Sequence, residues 1–345
     1  MRAEGEPNKV LIIQTAFLGD VITATPLVTA VRKMYPGTEI HFLTTPAGSE
    51  IISGLPGLDS VIAFDKRGAE SGVKGLLKKA RELKEMEFDI AICAHRSFRT
   101  AALLALAGIK RRIGFATSAF PWLFQERVPR DPERHEVERN LALLGPLGGP
   151  PNGFKARLNL ADPGAPPDEI TASNGKKRVA LCPGSVWPTK RWSADGFAIV
   201  ADGIRRETGA EVYLLGSGQD QEAAAEVEEL AEQPLYNLVG RTSLKQWVSA
   251  IAGMDLVVTN DSSPTHVACA LGVPVVTVFG PTTTSQGFAP WSDRSSVVEE
   301  EGLPCRPCGE HGSAYCPEGH FKCMELIDPA RVLESALLLM EENTN

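Results

Sequence analysis

The sequence predicts an α/β protein with two Rossmann-like, doubly wound parallel-sheet domains that face each other across a cleft. Short apolar runs alternate with stretches of helical periodicity along almost the whole chain, which is the pattern of parallel strands joined by helices. One stretch rich in Pro, Gly, Asn and Asp, between about residues 148 and 177, interrupts the alternation. The 345 residues are enough for two domains, each with its own core.

Residues 1–160 are predicted to form the N-terminal domain. Its apolar runs are short and end at polar or glycine-containing turns, as buried strands do. The predicted strands are 9–15, 39–44, 60–64, 88–94 and 112–116, and the predicted helices lie near 20–34, 47–54, 73–86, 97–107 and 135–147.

Residues 161–330 are predicted to form the second domain, because the same alternation restarts after the boundary stretch. Its strands are expected at 178–183, 211–215, 236–239, 255–259 and 275–279, with helices near 193–208, 219–232, 243–252 and 264–271. A last helix, 331–345, is expected to pack back on the N-terminal domain.

Composition narrows the class of protein. The net charge of −8 argues against a dedicated nucleic-acid binder, which normally carries a basic surface. No run of 18 apolar residues occurs, and the start, MRAEGEPNKVLII, does not resemble a signal peptide. We therefore expect a cytoplasmic protein and leave open a peripheral association with a membrane surface.

The loops after the strands are the places to look for chemistry, because ligands bind beyond the carboxyl ends of parallel strands. The first, QTAFLGDVITATP, has a single glycine, Gly19, and so lacks the Gly-x-Gly-x-x-Gly fingerprint of a dinucleotide site. Asp20 follows it. This carboxylate fits a helix-capping role or the role of a general base, and the sequence alone leaves both open.

Two loops of the second domain carry hydroxyl, cationic and acidic side chains. In PGSVWPTKRW, Lys190 is suited to neutralise a diphosphate leaving group, although a solvated basic loop explains it equally well. Ser185 and Thr189 share that loop. In LLGSGQDQE, Glu222 fits a contact to ribose hydroxyls or an ordinary acid in the first turn of a helix.

The segment TNDSSPTHVACALGVPVVTVFGPT places a polar turn between two apolar strands and at the start of a short helix. The free N–H groups and the positive end of the dipole at such a helix suit a phosphate. The polar side chains gathered there are Asp261, Ser262, Ser263 and His266.

With these loops, the chain resembles the ADP-heptose:lipopolysaccharide heptosyltransferases, glycosyltransferase family 9. The resemblance rests on KVLIIQTAFLGDVITATPLVTAVRKMYP, PGSVWPTKRW, LLGSGQDQE, TNDSSPTHVACALGVPVVTVFGPT and CRPCGEHGSAYCPEGHFKCM, and covers nearly the whole chain. The Asp-Ser-Ser-Pro-x-His turn and the Gly-Asp pair after the first strand are its most specific parts. The closing cysteine-rich segment is more similar to heptosyltransferase II than to I.

The resemblance implies a GT-B fold, with the acceptor on the N-terminal domain and the ADP-sugar on the C-terminal one. It implies inverting transfer of L-glycero-D-manno-heptose from ADP-heptose to heptosyl-Kdo2-lipid A, with no metal or other cofactor required for catalysis. Asp20 matches the family's base and Lys190 the cation on the donor phosphates. The remaining donor-binding positions are Ser185, Thr189, Glu222, Asp261, Ser262, Ser263 and His266. Ser263 departs from the family, which often has Gly there.

On the acceptor side, basic residues in the N-terminal loops suit the anionic inner core of a lipopolysaccharide, although scattered surface arginines are an equal alternative. The expected acceptor-binding residues are Gly19, Arg67, Arg96 and Arg99, with Lys66, Arg111 and Arg112 as further candidates. We expect a monomer in peripheral contact with the inner membrane and no nucleic-acid partner.

Four cysteines lie close together near the C-terminus: Cys305, Cys308, Cys316 and Cys323. With His311 and His320 among them, they suggest a structural zinc site, while four reduced thiols in a folded loop are the alternative. Their position after the donor loops argues against a catalytic role.

Several rival functions remain open from the sequence. They are another family 9 transferase with a different acceptor, a GT-B sugar-nucleotide epimerase or hydrolase, a nicotinamide-dependent oxidoreductase, and a non-catalytic sugar-nucleotide-binding module. The missing dinucleotide fingerprint weighs against the oxidoreductase, and Asp20 and Lys190 at predicted cleft loops weigh against the binding module.

Overall fold

The computed structural model describes residues 6–171 and 175–342 and divides into two compact units, Met1–Asp162 and Pro163–Asn345. Each unit contains one six-stranded sheet in which every paired strand is parallel to its neighbours. The predicted class, two doubly wound α/β domains, is confirmed.

The first unit follows the predicted alternation of strands and helices. Its elements are β1 (Lys9–Ile13), α1 (Leu18–Ala24), α2 (Pro26–Met34), β2 (Glu39–Thr44), α3 (Pro46–Ile52), β3 (Ser60–Ala63), α4 (Gly72–Glu85), β4 (Ile90–Cys93), α5 (Phe98–Leu106), β5 (Arg111–Phe115), β6 (Glu126–Val128) and α6 (Glu136–Ala142), with 3₁₀ helices at Pro121–Leu123 and Gly145–Leu147.

The helix predicted near 20–34 is two helices in the structure. Pro26 occupies the first turn of α2, where its missing N–H and fixed φ are tolerated, and Thr25 joins it to α1. The break leaves α1 only seven residues long. This short helix carries the Gly19–Asp20 pair at its N-terminal end.

The second unit repeats the same plan. Its elements are α7 (Asp168–Thr171), β7 (Arg178–Cys182), α8 (Ala194–Thr208), β8 (Glu211–Leu214), α9 (Gln221–Leu230), β9 (Tyr236–Asn237), α10 (Leu244–Ala252), β10 (Leu256–Asn260), α11 (Ser263–Leu271), β11 (Val275–Phe279), β12 (Ser295–Glu299), α12 (Lys322–Glu325) and α13 (Pro329–Glu341), with 3₁₀ helices at Pro188–Lys190, Gly218–Asp220 and Thr284–Gln286.

The strand orders are β3-β2-β1-β4-β5-β6 and β12-β11-β10-β7-β8-β9. In each sheet the chain moves outward in one direction from a central strand, then returns to the centre and moves outward in the other. The direction changes between β1 and β4 in the first unit and between β7 and β10 in the second. Such switch points leave a crevice beyond the strand ends, so the loops after these four strands are the expected ligand sites.

The last helix, α13, packs within the second unit. Its buried residues, which include Val332, Ala336 and Met340, belong to the hydrophobic core of the second unit, and α13 packs on α8 and on strands β10 to β12. The helix is thus part of the core of the second unit, and its expected packing on the N-terminal domain stays a prediction. Residues 343–345 lie outside the described residues.

Candidate active site

Asp20 stands at the switch point of the first unit, in the first turn of α1 directly after β1. Its Oδ2 accepts a hydrogen bond of 3.2 Å from the backbone N–H of Phe17. Burial raises its pKa from 3.8 to about 6, the negative charge of Glu136 adds to the rise, and Arg96 opposes it. The two roles considered for Asp20 are thus compatible, because its carboxyl group caps the start of α1 and its pKa lies near neutral pH.

Glu136 influences this site from α6, which packs on α1. It is 4% exposed and forms ion pairs with Arg130 at 2.5 Å and Arg139 at 3.1 Å. Asn140 of the same helix donates to the Thr23 carbonyl of α1 at 3.2 Å. A buried, ion-paired carboxylate is therefore fixed on the helix beside the one that carries Asp20.

The loop after β4, the other strand of this switch point, supplies a second polar cluster. His95 Nδ1 lies 2.9 Å from Thr15 Oγ1 and 2.7 Å from Thr100 Oγ1, and Lys66 Nζ donates to Thr15 Oγ1 at 3.3 Å. Burial and the nearby cations lower the pKa of His95 to about 3, so its ring is neutral. Burial, followed by the charges of Arg67 and Arg99, lowers the pKa of Lys66 to about 8.

The predicted acceptor-binding arginines lie around this cluster. Arg67 stacks on the ring of Phe17 with its guanidinium carbon 5.5 Å from the ring centroid. Arg99 is already engaged, because its Nη2 donates to the carbonyls of Glu70 at 2.7 Å and Gly72 at 3.0 Å. Arg96 acts on Asp20 through its charge. Gly19 is buried next to Asp20 on α1.

Arg111 and Arg112 lie elsewhere. They begin β5, at the sheet edge opposite the carboxyl ends of the strands. Arg111 pairs with Glu126 at 2.6 Å, and Arg112 donates to the backbone of Leu123 at 2.8 Å. Their side chains hold the β5–β6 region together, so these two candidates are structural.

At the switch point of the second unit, Lys190 and Asp261 form an ion pair of 2.5 Å between Nζ and Oδ2. Lys190 comes from the loop after β7 and Asp261 from the turn after β10. Asp261 is 6% exposed and also accepts a hydrogen bond of 2.6 Å from Thr282 Oγ1. The sequence placed both charged residues at this edge, and the structure brings them into contact.

Asn260 joins the two loops that carry this ion pair. Its Oδ1 accepts from the Trp192 N–H at 3.0 Å, and its Nδ2 donates to the Pro183 carbonyl at 2.7 Å. The side chain is fully buried. A buried amide bonded to both sides fixes the register of the loops, because any shift would leave its polar atoms unsatisfied.

The polar turn forms the start of α11 as predicted, with Ser262 as N-cap and Pro264 in the first turn. The Ser262 hydroxyl donates to the Asn260 carbonyl at 3.3 Å and does not cap the helix. Ser263 is the first helical residue, and His266 is buried with its ring edge toward Phe288. The Ser262 side chain therefore does not cap α11, and the Thr265 N–H donates instead to the Ser262 carbonyl at 3.2 Å. The positive end of the helix dipole suits an anionic ligand at this end.

The family model for glycosyltransferase family 9 (heptosyltransferase) matches residues 76–317. The chain belongs to this family. The resemblance read from the motifs is confirmed.

Named relatives and solved structures are similar to this chain over almost its full length. Lipopolysaccharide heptosyltransferase 2 of Escherichia coli strain K12 is 29% identical, and the match covers 97% of this chain and 99% of that protein. The family 9 glycosyltransferase from Veillonella parvula superposes with a TM-score of 0.86 at 25% identity, covering 99% of each chain. The E. coli heptosyltransferase II structure gives 0.79 at 25% identity, covering 98% of this chain and all of that one. The GT-B fold of these structures is the fold of this enzyme.

The remaining residues that were predicted to bind the donor of this family 9 glycosyltransferase are Ser185, Glu222 and Thr189. Ser185 and Glu222 follow the neighbouring strands β7 and β8 and so share the edge that carries Lys190. Thr189 is used internally, because its Oγ1 donates to the Ser313 carbonyl at 2.9 Å and accepts from the Ser313 N–H at 2.8 Å. Its predicted contact with the donor stays a prediction, while its contact with Ser313 anchors the residue before Lys190.

Ser313 belongs to the cysteine-rich segment, residues 305–323, which packs against loops at the edge that carries Lys190. A Cβ on Gly312 would stand 2.5 Å from Trp187 Cβ and 2.9 Å from Lys190 Cγ, so this backbone passes directly against the Lys190 loop. At the other end, Arg306 donates to the Thr282 carbonyl at 2.7 Å, and the Cys308 N–H donates to the Pro281 carbonyl at 2.9 Å. The segment therefore contacts the Lys190 loop and the loop after β11, whose Thr282 binds Asp261. The expectation that the segment has no catalytic role stays a prediction.

The predicted zinc site at Cys305, Cys308, Cys316 and Cys323 is not formed. Within residues 6–171 and 175–342, no group of three or more His, Cys, Asp or Glu side chains is arranged so that it could hold a metal ion. Cys305 Sγ lies 4.0 Å from His320 Nε2, and the Cys308 thiol donates to the Cys305 carbonyl. Cys323 is a core residue of the second unit, and burial raises its pKa to about 11.

Sequence reasoning missed Thr282, Ser313, Arg306, Glu136 and the Thr15–His95–Thr100 group. Thr282 directly follows a predicted strand and so carried a positional signal of the kind used for Asp261. The others act through contacts between residues far apart in the chain. His95 alone had a local signal, as the first polar residue after the predicted strand 88–94.

Proposed function

We propose that this enzyme transfers L-glycero-D-manno-heptose from ADP-heptose to heptosyl-Kdo2-lipid A, with inversion at the anomeric carbon and without a metal cofactor. The Lys190–Asp261 ion pair at the start of α11 carries the proposal, because it places a positioned cation beside a phosphate-binding helix end in a family 9 chain. Relatives from E. coli and other bacteria bear the name heptosyltransferase 2, which supports the choice of sugar and pathway.

Asp20 is assigned the role of general base. It removes the proton from the acceptor hydroxyl, whose oxygen then attacks the anomeric carbon of the heptose as the bond from that carbon to the diphosphate oxygen breaks. A base with a pKa of about 6 is ionised at neutral pH and is still basic enough to accept a proton in the transition state. Displacement from the opposite face gives the inverted product.

Lys190 is assigned to the leaving group. Negative charge grows on the ADP oxygen as the glycosidic bond breaks, and a fixed ammonium and the positive end of the α11 dipole stabilise that charge more than they stabilise the ground state. Asp261, which also accepts a hydrogen bond from Thr282, holds the ammonium in place before the donor arrives. We assign Ser185, Ser262, Ser263 and His266 to the diphosphate and the donor sugar, and Glu222 to the ribose hydroxyls.

The acceptor is assigned to the first unit. Gly19 is next to Asp20 in sequence, Arg67 contacts Phe17 of the same loop, and Arg96 acts on Asp20 through its charge. The positive charge of the two arginines suits the phosphate and carboxylate groups of a Kdo-lipid A core. An acceptor of this kind would place the enzyme at the cytoplasmic face of the inner membrane, where we propose that it works as a monomer. No helix in the described ranges is long and apolar enough to cross a bilayer.

ADP release from ADP-heptose tests the proposal, measured with and without heptosyl-Kdo2-lipid A in the presence of a metal chelator. Release that requires the acceptor and survives chelation is expected. Release without acceptor would instead indicate a sugar-nucleotide hydrolase or epimerase, and release that chelation abolishes would overturn the metal-independent mechanism. Release only with a different lipopolysaccharide acceptor would retain the family and reject the proposed acceptor.

A further inference from the structure

Exposed apolar side chains are concentrated on one part of the first unit. Within its described residues, every large hydrophobic side chain that is exposed belongs to α4, α5 or the turn at Pro121–Leu123, with the single exception of Phe17. We call this the α4–α5 surface, and its exposed fractions are Val73 71%, Leu77 40%, Phe98 48%, Leu106 50%, Phe120 42% and Trp122 66%.

The apolar residues of α5 follow the spacing of a helix face. Phe98, Ala102, Ala105 and Leu106 stand at positions i, i+4, i+7 and i+8 and are exposed or half-buried, while Leu103 and Leu104 point into the core. The outer face of α5 is therefore as apolar as its inner face. A surface helix of a globular protein normally has a polar outer face, so this one indicates an interaction surface.

Aromatic rings extend the apolar face beyond α5. The ring of Phe120 lies 4.4 Å from that of Phe98 and 4.8 Å from that of Trp122, measured between centroids. Phe120 has a positive φ of 57°, a conformation that costs energy in a residue with a bulky side chain. This strained conformation of Phe120 brings its ring together with those of Phe98 and Trp122 at the solvent-exposed surface.

The neighbouring helix α4 adds positive charge beside its own apolar residues. Lys74, Lys78 and Arg81 are exposed and stand at positions i, i+4 and i+7, next to the row formed by Val73 and Leu77. Of the acidic residues on this helix, Glu82 is paired with the buried Lys79 at 2.7 Å, and Glu85 is the last helical residue. The outer face of α4 is thus amphipathic, with cations along one side of its apolar row.

The two helices start side by side at the edge of the sheet that carries Asp20. Arg99, in the first turn of α5, donates to the carbonyls of Glu70 and Gly72 at the start of α4. β4, which leads into α5, pairs directly with β1, which leads into Asp20. The aromatic end of the α4–α5 surface is therefore on the catalytic edge of the first unit.

We propose that the α4–α5 surface docks the enzyme on an anionic lipid bilayer. Amphipathic helices with lysine and arginine beside exposed apolar and aromatic residues lie in the interface of such membranes, where tryptophan favours the boundary between headgroups and acyl chains. The chain carries a net charge of −8, so an anionic membrane repels most of its surface and attracts this face. A second copy of the chain fits less well, because a two-fold pairing would bring the cations of both α4 helices together.

Co-sedimentation of the purified full chain with lipid vesicles tests this proposal and needs neither donor nor acceptor, so its result is independent of the proposed transfer reaction. Binding to vesicles that contain phosphatidylglycerol is expected, with much weaker binding to pure phosphatidylcholine and a decrease at high salt. Because each cation near an anionic surface contributes roughly fivefold to binding, the triple variant K74E/K78E/R81E is expected to bind about a hundredfold more weakly or worse. The pair Phe98→Ser and Trp122→Ser is expected to weaken binding without removing its salt dependence.

Matched variants in the second unit serve as controls. Tyr315→Ser with Leu338→Ser removes side chains that are 84% and 56% exposed, and K176E/R206E/K322E makes the same change in net charge at exposed sites. Both are expected to bind like the unaltered enzyme. The proposal is overturned if the unaltered chain does not bind anionic vesicles or if the control sets weaken binding as much as the test sets. It is also overturned if the α4–α5 variants change only a self-association seen by sedimentation without vesicles.

Discussion

At the scale of single residues, the structure assigns a charge environment to each candidate catalytic group. Asp20 and Lys190 were predicted from one local fact, that each follows a buried strand. Their electrostatic partners are distant in sequence: Glu136 is 116 residues after Asp20, and Asp261 is 71 residues after Lys190. A reading of local patterns identifies the residue type and the edge of the sheet, but it does not give the pKa of the group.

The raised pKa of Asp20 gives a test of the base assignment. Because the carboxylate is the active form, kcat/KM is expected to rise with pH through about 6 and to level off above it. Glu136→Gln removes a neighbouring negative charge, which lowers the pKa of Asp20 and shifts this limb to lower pH. Asp20→Ala is expected to abolish transfer and to leave ADP binding almost unchanged.

The pH–rate profile and calorimetric titration with ADP measure these effects. Thermal unfolding of Glu136→Gln provides the control, because the variant leaves Arg130 and Arg139 without their shared carboxylate. A limb that stays in place in a folded Glu136→Gln enzyme would reject the electrostatic link. Lost ADP binding in Asp20→Ala would reject the base assignment.

Lys190→Ala is expected to lower kcat by roughly two to three powers of ten, as the loss of a preorganised group at a developing charge does. Steady-state kinetics with varied donor and varied acceptor separate this from a loss of binding. Asp261→Asn is the companion variant, since it keeps the ammonium and removes its counterion. A defect of Lys190→Ala confined to the KM for the acceptor would exclude a role at the leaving group.

At the scale of elements, most strands and helices were predictable and two edge strands were not. β6 and β12 border the sheets, and each has a single buried residue, so they lack the apolar runs that reveal central strands. The split between α1 and α2 had a visible cause in Pro26. The packing of residues 305–323 had none, because it depends on backbone contacts with Thr189 and Pro281 that no side-chain pattern records.

Gly312→Ala tests whether the cysteine-rich segment positions Lys190. The added methyl group would stand 2.9 Å from Lys190 Cγ and 2.5 Å from Trp187 Cβ, so the loop must move away from its place beside Asp261. We expect kcat to fall about tenfold or more, since a small misplacement of a catalytic group is costly. Gly145→Ala, where a Cβ meets nothing within 4 Å, is the neutral control. Unchanged kinetics in a folded Gly312→Ala enzyme would show that the segment is only a neighbour.

At the scale of the whole molecule, composition and alternation were sufficient for the fold class, because two parallel sheets need only repeated strand–helix units and enough length for two cores. The net charge was less informative. A value of −8 describes the sum over the chain and conceals the cationic face of α4. The distribution of charge becomes visible only when α4 is placed as a helix, because helical spacing brings Lys74, Lys78 and Arg81 onto one face.

Catalysis on a lipid-embedded acceptor is expected to depend on the α4–α5 surface. With acceptor in anionic vesicles, Phe98→Ser with Trp122→Ser should lower the apparent kcat/KM, and added salt should lower it further. With a delipidated acceptor in solution, the same variant should match the unaltered enzyme, because its substitutions avoid Asp20 and Lys190. Equal losses on both acceptors would mean that these aromatic residues serve the active site itself.

The contact between Lys190 and Asp261 has a consequence for selectivity in a crowded cell. A cation that already holds an internal carboxylate at 2.5 Å offers little attraction to chloride or inorganic phosphate, which must compete with that carboxylate for the same ammonium. In the proposed donor complex, ADP-heptose competes with Asp261 because its sugar and base contact other residues and so raise the local concentration of the phosphates. Asp261 thus lowers the affinity of Lys190 for small anions, and an enzyme without this carboxylate is expected to bind chloride and phosphate at the Lys190 ammonium.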